Sequence, residues 1–233
     1  MKIALLGYGR MGKAIEEIAL ARGHKIVCTY DKNERQGDLN QADVAINFSV
    51  PSAAVENLKE AFDAGVSVVC GTTGWLDQLE EIQTYCTEKK TGFLYASNFS
   101  IGVNLFFKLN ELTAQLMKGY ENQYTAHLEE THHIHKLDAP SGTAITLAED
   151  IAKNNAHYSN CTMNDKENGL KITAHREGEV PGTHMITYHS SDDEIKIEHK
   201  AHSRQGFALG AVIAAEWLKG KEGLFSMSDV LNL

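Results

Sequence analysis

The chain has 233 residues, 42% of them apolar and 23% charged, with a formal net charge of −9. That length supports one sizeable core or two modest domains, and the acidic balance disfavours a phosphate-backbone partner such as nucleic acid. No stretch approaches the ~20 apolar residues of a membrane span, and Met1-Lys2 leads straight into a strand pattern rather than a signal peptide, so a cytoplasmic protein is expected.

The first hundred residues alternate between strand and helix patterns. Residues 2–6 form a short apolar run, 11–21 have helical spacing (Ile15, Ile18, Ala19), and 25–30 form a second strand. Residues 44–48 predict a third strand, followed by a helix start at Pro51-Ser52 and an amphipathic run through Ala53, Val55, Leu58 and Phe62. Strands at 66–70 and 93–96 flank a helix carrying Leu76, Leu79 and Ile82. This βαβ rhythm predicts a parallel sheet covered on both faces, a Rossmann-type doubly wound α/β fold.

Beyond Asn98 the pattern changes. A helix is predicted through Leu105, Phe106, Leu109, Leu112 and Leu116, and residues 122–128, 170–174, 185–189 and 194–198 alternate like half-exposed antiparallel strands. Asp192-Asp193-Glu194 reads as a hairpin turn, 154–169 as a polar, mobile loop, and 207–218 as a final helix. The expected organisation is a dinucleotide-binding domain over 1–99, an inserted α+β domain for substrate binding and oligomerisation over 100–206, and a C-terminal helix and tail over 207–233. Cys28, Cys70, Cys86 and Cys161 show no CxxC spacing, and reduced core thiols are expected for the three that sit in apolar or helical contexts.

Gly7-Tyr8-Gly9-Arg10-Met11-Gly12 follows a predicted strand and opens a predicted helix. Gly7 permits the tight turn, Gly9 admits a pyrophosphate close to the backbone, and Gly12 allows helix–strand packing. Asp31 ends the second strand about twenty residues on, where the dinucleotide fingerprint places its ribose-binding carboxylate. Its charge disfavours a 2′-phosphate and the adjacent Lys32 offsets this, so the balance leans toward NAD without excluding NADP. Gly71-Thr72-Thr73-Gly74 and Ala96-Ser97-Asn98-Phe99 follow the fourth and fifth predicted strands, and their position at the carboxyl ends of a parallel sheet predicts that they face the cofactor.

One segment gathers proton donors and an anion-binding loop: Glu130-Thr131-His132-His133-Ile134-His135-Lys136-Leu137-Asp138-Ala139-Pro140-Ser141-Gly142-Thr143-Ala144. Its histidines and lysine handle protons or anions, while Pro140-Ser141-Gly142-Thr143 reads as a helix start with free N–H groups. Together they predict chemistry on a carboxylated substrate. No metal is expected: Lys136 opposes a divalent cation, and Glu129, Glu130 and Asp138 lack ligand spacing. His127 is expected to be a surface or packing residue, His135 structural, and Asp138 a cap on loop N–H groups. His175, Arg176 and Arg204 are expected to take solvated or interface roles.

These motifs, with Ser203-Arg204-Gln205-Gly206-Phe207-Ala208, Gly210-Ala211 and Trp217-Leu218, resemble the 4-hydroxy-tetrahydrodipicolinate (dihydrodipicolinate) reductase family along the whole chain. The resemblance implies an oxidoreductase of diaminopimelate and lysine biosynthesis that uses NADH or NADPH. It implies His132 as proton donor or acceptor, Lys136 as proton donor, His133 as a substrate contact, and Gly142 and Thr143 as holders of a substrate carboxylate. Cofactor contacts implied are Gly7, Tyr8, Gly9, Arg10, Met11, Gly12, Asp31, Lys32, Gly71, Thr72, Thr73, Ala96, Ser97, Asn98 and Phe99. A homotetramer built through the sheets of the second domain is also implied. Two stretches depart from the family pattern: the connection from Asp31 to Val44 is short, and residues 176–184 lack a hairpin strand. Two other functions fit part of the pattern, namely a different nicotinamide-dependent dehydrogenase of a small carboxylate and a non-catalytic dinucleotide sensor.

Overall fold

A computed structural model describes residues 1–32, 34–158, 160–162, 169–203 and 205–233, without the side chains of 160–162. It divides into unit 1, Met1–Ile101 with Gln205–Leu233, and unit 2, Gly102–Arg204. Among the described residues no helix is long and apolar enough to cross a membrane.

Unit 1 is built on a seven-stranded sheet. Its elements are β1 (Lys2–Leu6), α1 (Arg10–Ala21), β2 (Lys25–Asp31), β3 (Glu34–Gly37), β4 (Val44–Asn47), α2 (Pro51–Asp63), β5 (Ser67–Cys70), α3 (Leu79–Glu88) and β6 (Gly92–Tyr95). The start of α4 (Ile101–Met117) leaves the unit, and α6 (Gln205–Leu218), β12 (Gly223–Phe225) and α7 (Met227–Leu231) complete it. The strand order is β12-β6-β5-β4-β1-β2-β3, parallel throughout except for β3, which runs antiparallel to β2.

Both faces of this sheet are covered, so its central strands are buried and largely apolar along near-continuous runs rather than alternately. On one face Ala4, Leu6, Ala45 and Val68 meet Ala54, Leu58 and Phe62 of α2 and Ile82 of α3. On the other, Ile3, Leu5, Ile46 and Val69 meet Ile15 and Ala19 of α1 and the small apolar residues of α6. Close packing of α6 requires Gly210, where an added Cβ would fall 1.7 Å from the Phe99 carbonyl oxygen. Cys28, Cys70 and Cys86 are buried free thiols, and burial pushes Cys70 up to about 12. Cys161 lies outside the described side chains.

Unit 2 carries a five-stranded sheet of order β11-β10-β7-β9-β8, where β7 is Thr125–His132, β8 Asn160–Thr162, β9 Gly169–Arg176, β10 Thr183–His189 and β11 Glu194–Lys200. Its core joins Phe106 and Ala114 of α4, Leu147 and Ile151 of α5 (Gly142–Asn154), and Leu128, Ile172 and Ile186 of the sheet. The expected all-antiparallel arrangement is corrected here. β9 pairs parallel with β7, and β8 parallel with β9, because the chain passes over the end of β7 between β9 and β10. Strand alternation reveals faces but not partner direction. The expected loop over 154–169 is also corrected where it is described: residues 160–162 form β8, while 159 and 163–168 lie outside the described residues.

Candidate active site

The order of unit 1 places β1 between β2 and β4, so the chain reverses direction of winding there and opens a crevice beyond the carboxyl ends of β1 and β4. Gly7 makes the turn: its φ is +108°, and a Cβ would fall 2.3 Å from the Phe48 carbonyl oxygen. The N–H groups of Gly7 and Tyr8 both donate to the Tyr30 carbonyl, at 2.9 and 2.8 Å, which draws the turn toward the end of β2. Gly12 packs under it, where a Cβ would fall 2.3 Å from the Gly7 carbonyl oxygen. At Gly9 a Cβ would meet nothing, and α1 begins there without a side-chain cap or an acidic first turn. An uncapped helix start beside open space offers N–H groups and a positive dipole end to an anion.

A cavity of about 400 Å³ opens at this point, with Gly7, Gly9, Tyr30, Asp31, Lys32 and Arg35 among its lining residues. The Asp31 carboxylate accepts the Lys32 N–H at 2.7 Å. Arg35, on β3, lies 4.2 Å over the Tyr30 ring and donates to both Glu60 carboxylate oxygens at 2.9 and 3.0 Å. Of the expected cofactor contacts, Gly7, Tyr8, Gly9, Asp31 and Lys32 line this cavity; Arg10, Met11 and Gly12 lie in the following turn of α1. The residues of the remaining loops are not among its lining residues. Thr72 is buried and its Oγ1 accepts the Ser49 N–H at 2.9 Å, a Cβ on Gly71 would strike the Phe48 ring, and buried Phe99 packs against that ring at 5.5 Å. Thr73 and Ser97 are exposed, Ala96 half-buried, and the Asn98 side chain accepts the Ser100 N–H at 2.9 Å.

In unit 2 the buried face of β7 runs Ala126, Leu128, Glu130, His132, apolar and then polar toward the strand end. Register sets the neighbours. Glu130 lies opposite His184 on β10, and His132 opposite Arg176 on β9, so all four share one face. Glu130 is 1% exposed and accepts the Ser141 N–H at 3.1 and 3.2 Å. Around its carboxylate stand His184 Nε2 at 3.5 Å, His132 Nδ1 at 3.6 Å and Arg176 Nη2 at 3.7 Å. Burial alone would raise this carboxyl, but hydrogen bonding with His184 and Ser141 and the charge of His132 hold it down to about 2. Burial lowers His132 to about 4 against the pull of Glu130, with His184, Lys136 and Arg176 adding to the fall. His132 is therefore a neutral imidazole at pH 7.

The loop after β7 carries Lys136, whose Nζ donates to both Asp138 oxygens at 2.7 and 2.6 Å. That bond is the main cause lowering the Asp138 carboxyl, and a hydrogen bond from its own backbone N–H adds to it, so Asp138 holds the lysine as well as a loop N–H group. The Asp138 side chain is 59% exposed, and an ion pair this open is worth only ~0–1 kcal/mol, so an incoming carboxylate can compete for the ammonium. Ser141 caps α5, its Oγ accepting the Ala144 N–H at 3.2 Å, which leaves the Gly142 and Thr143 N–H groups without intrahelical partners. His133 is half-buried, with its Nδ1 unpartnered. His135 is 70% exposed beside Glu179, and His127 Nε2 lies 3.2 Å from Thr173 Oγ1.

Arg176 departs from the solvated or interface role expected of it. It donates to the carbonyls of Lys136 at 3.1 Å, Asp138 at 2.6 Å and His175 at 2.8 Å, pinning the loop that carries the lysine. His175 is exposed, and Arg204 lies outside the described residues. Glu130 and His184 were not among the expected site residues. Glu130 carried one signal, a carboxylate in phase with the apolar positions of its strand. Glu130, His132 and His184 bring ligand-type atoms within 4.8 Å of one another, a proximity that sequence spacing concealed. The carboxylate, however, already faces the Ser141 amide and the Arg176 cation, a poor setting for a metal.

Comparison with known proteins assigns both units. The family model "Dihydrodipicolinate reductase, N-terminus" matches residues 1–99, and "Dihydrodipicolinate reductase, C-terminus" matches 102–231. The 4-hydroxy-tetrahydrodipicolinate reductase of Christiangramia forsetii is 53% identical over 100% of this chain and 98% of its own. That of Archaeoglobus fulgidus is 35% identical over the whole of both. A dipicolinate-bound dihydrodipicolinate reductase from Paenisporosarcina sp. TG-14 shares the fold, with a TM-score of 0.79 over 97% of each chain at 23% identity. The fold extends at a TM-score of 0.52 and 11% identity to the aspartate dehydrogenase of Thermotoga maritima. By matches that run through both units, this chain belongs to the dihydrodipicolinate reductase family, whose members are also named 4-hydroxy-tetrahydrodipicolinate reductase.

Proposed function

We propose that the protein reduces 4-hydroxy-tetrahydrodipicolinate to tetrahydrodipicolinate, with loss of water, in diaminopimelate and lysine biosynthesis. The reductant is a nicotinamide dinucleotide, which supplies hydride when bound. Within unit 2 one observation carries the site assignment: the end of β7 and the start of α5 bring His132 and the Gly142 and Thr143 N–H groups to the same buried carboxylate, through Ser141.

Hydride addition to a conjugated ring leaves electron density that a proton must quench. Lys136 is the proton donor, because His132 is neutral at pH 7 and serves as acceptor and relay. His133 and the fixed N–H groups of Gly142 and Thr143 hold the substrate carboxylates, with little reorganisation as charge moves. In unit 1 the uncapped start of α1 at Gly9 would hold the pyrophosphate, and Asp31 would accept hydrogen bonds from the adenosine ribose. Lys32 and Arg35 supply positive charge in the same cavity, which supports use of both NADH and NADPH. Arg35→Ala tests this arm: KM for NADPH should rise several-fold more than KM for NADH.

The copies assemble as a homotetramer through the face of the second sheet that bears His127, Glu129 and Thr187, the side of the strands away from α5; light scattering measures the mass. The reaction itself is tested by mixing the protein with NADH or NADPH and substrate generated in place from pyruvate and aspartate semialdehyde. Oxidation of the cofactor that depends on the substrate-generating step is expected, and its absence with both cofactors would remove the assignment.

A further inference from the structure

Glu130 joins four separate pieces of unit 2. It receives the Ser141 N–H from the start of α5, and it faces His132 two residues along its own strand, His184 from β10 and Arg176 from β9. Arg176 in turn holds the carbonyls of Lys136 and Asp138. The helix start, the histidine and the lysine loop are thus all referred to one buried carboxylate.

The His132 ring shows what that carboxylate does. Its Nδ1 is buried and forms no hydrogen bond within ordinary limits; Glu130 Oε2, at 3.6 Å, is the polar group it faces. The contact is too long for a full hydrogen bond, and catalytic contacts of this kind tighten when substrate binds. A proton on Nδ1 is attracted to the carboxylate, whereas a lone pair there would oppose it in a site with little water to screen the repulsion. On the other side of the ring, Nε2 abuts Gly182, where a Cβ would come within 3.2 Å. A larger residue there would crowd the Nε2 edge.

We infer that Glu130 is the positioning residue of the site, fixing His132 as its Nδ1–H tautomer so that Nε2 is the proton-accepting atom, and holding Arg176 and the start of α5 in register with it. This rests on the role given to His132 above. The charged and titratable groups facing His132 are Glu130 on β7, His184 on β10, Arg176 on β9 and Lys136 in the following loop. Glu130 is the one anion among them. Removing its charge leaves three groups that disfavour protonation of His132, so the acid limb of the kcat profile moves to lower pH.

The test combines two measurements. Nitrogen NMR of the histidine rings in wild-type protein without substrate should show His132 protonated at Nδ1; an Nε2–H ring would overturn the inference, whether or not any variant folds. Glu130→Gln should then lower kcat by about 10²-fold, leave KM for NADH unchanged and shift the acid limb downward. A variant with wild-type kcat and an unmoved limb would also overturn it. Failure of the underlying reading looks different: wild-type protein would show the expected tautomer yet oxidise neither cofactor with substrate present.

Discussion

In unit 1 the candidate ligand-facing atoms come largely from the main chain at a glycine turn, whereas in unit 2 they depend on charged side chains arranged around a buried carboxylate. The turn at Gly7, Gly9 and Gly12 is local: neighbouring backbone leaves no room for a Cβ at Gly7 or Gly12, while Gly9 faces open space. The cluster at Glu130, His132, Arg176 and His184 is assembled from three strands, with β9 and β10 far from β7 in sequence. A backbone site tolerates change in side chains but not in shape. The cluster should tolerate small changes in shape but not in charge.

That contrast can be broken first at Gly7. Gly7→Ala puts a Cβ against the Phe48 carbonyl at a φ of +108°, strain of about 1–3 kcal/mol at least. We expect a lower melting temperature and a dissociation constant for NADH raised at least ~10-fold, read by cofactor fluorescence. An unchanged constant would mean that the glycine turn does not shape the cofactor site.

A second test concerns charge in unit 2. Unfolded His132 takes up a proton near its ordinary 6.5, while the folded ring stays neutral to about 4, so the unfolded state binds more protons between those values. Glu130 acts in the same direction at lower pH, between the ordinary 4.5 and about 2. Thermal melts should therefore lose stability as pH falls from 6.5 toward 4, and lose more below 4.5. His132→Gln should flatten the first window; equal slopes in both proteins would contradict the burial argument.

The smallest effect is expected at His135. Its ring is 70% exposed and its partner Glu179 is 80% exposed, so the pair contributes ~0–1 kcal/mol. His135→Ala should change kcat and KM by less than about twofold in steady-state assays. A loss comparable to that in a His132 variant would mean that the loop carries a third working histidine.

The same contrast explains what the sequence made legible. The parallel sheet and its glycine turn followed from apolar runs and a local motif, because each βαβ unit is a short-range object. Strand β3, which brings Arg35 to the cavity, is four exposed residues with no apolar alternation to announce it. In unit 2 the strands were visible but their directions were not, since the crossing from β9 to β10 depends on long-range pairing. His132 and Lys136 stood out as residue types in a dense motif. Glu130 and His184 acquired meaning only when register set them opposite each other.

The most direct test of the division between the two units is Lys136→Ala, assayed for turnover with substrate generated in place and titrated with NADH. The account predicts a kcat lower by about 10²–10⁴ with an NADH dissociation constant within twofold of wild type. Wild-type turnover in this variant would contradict it.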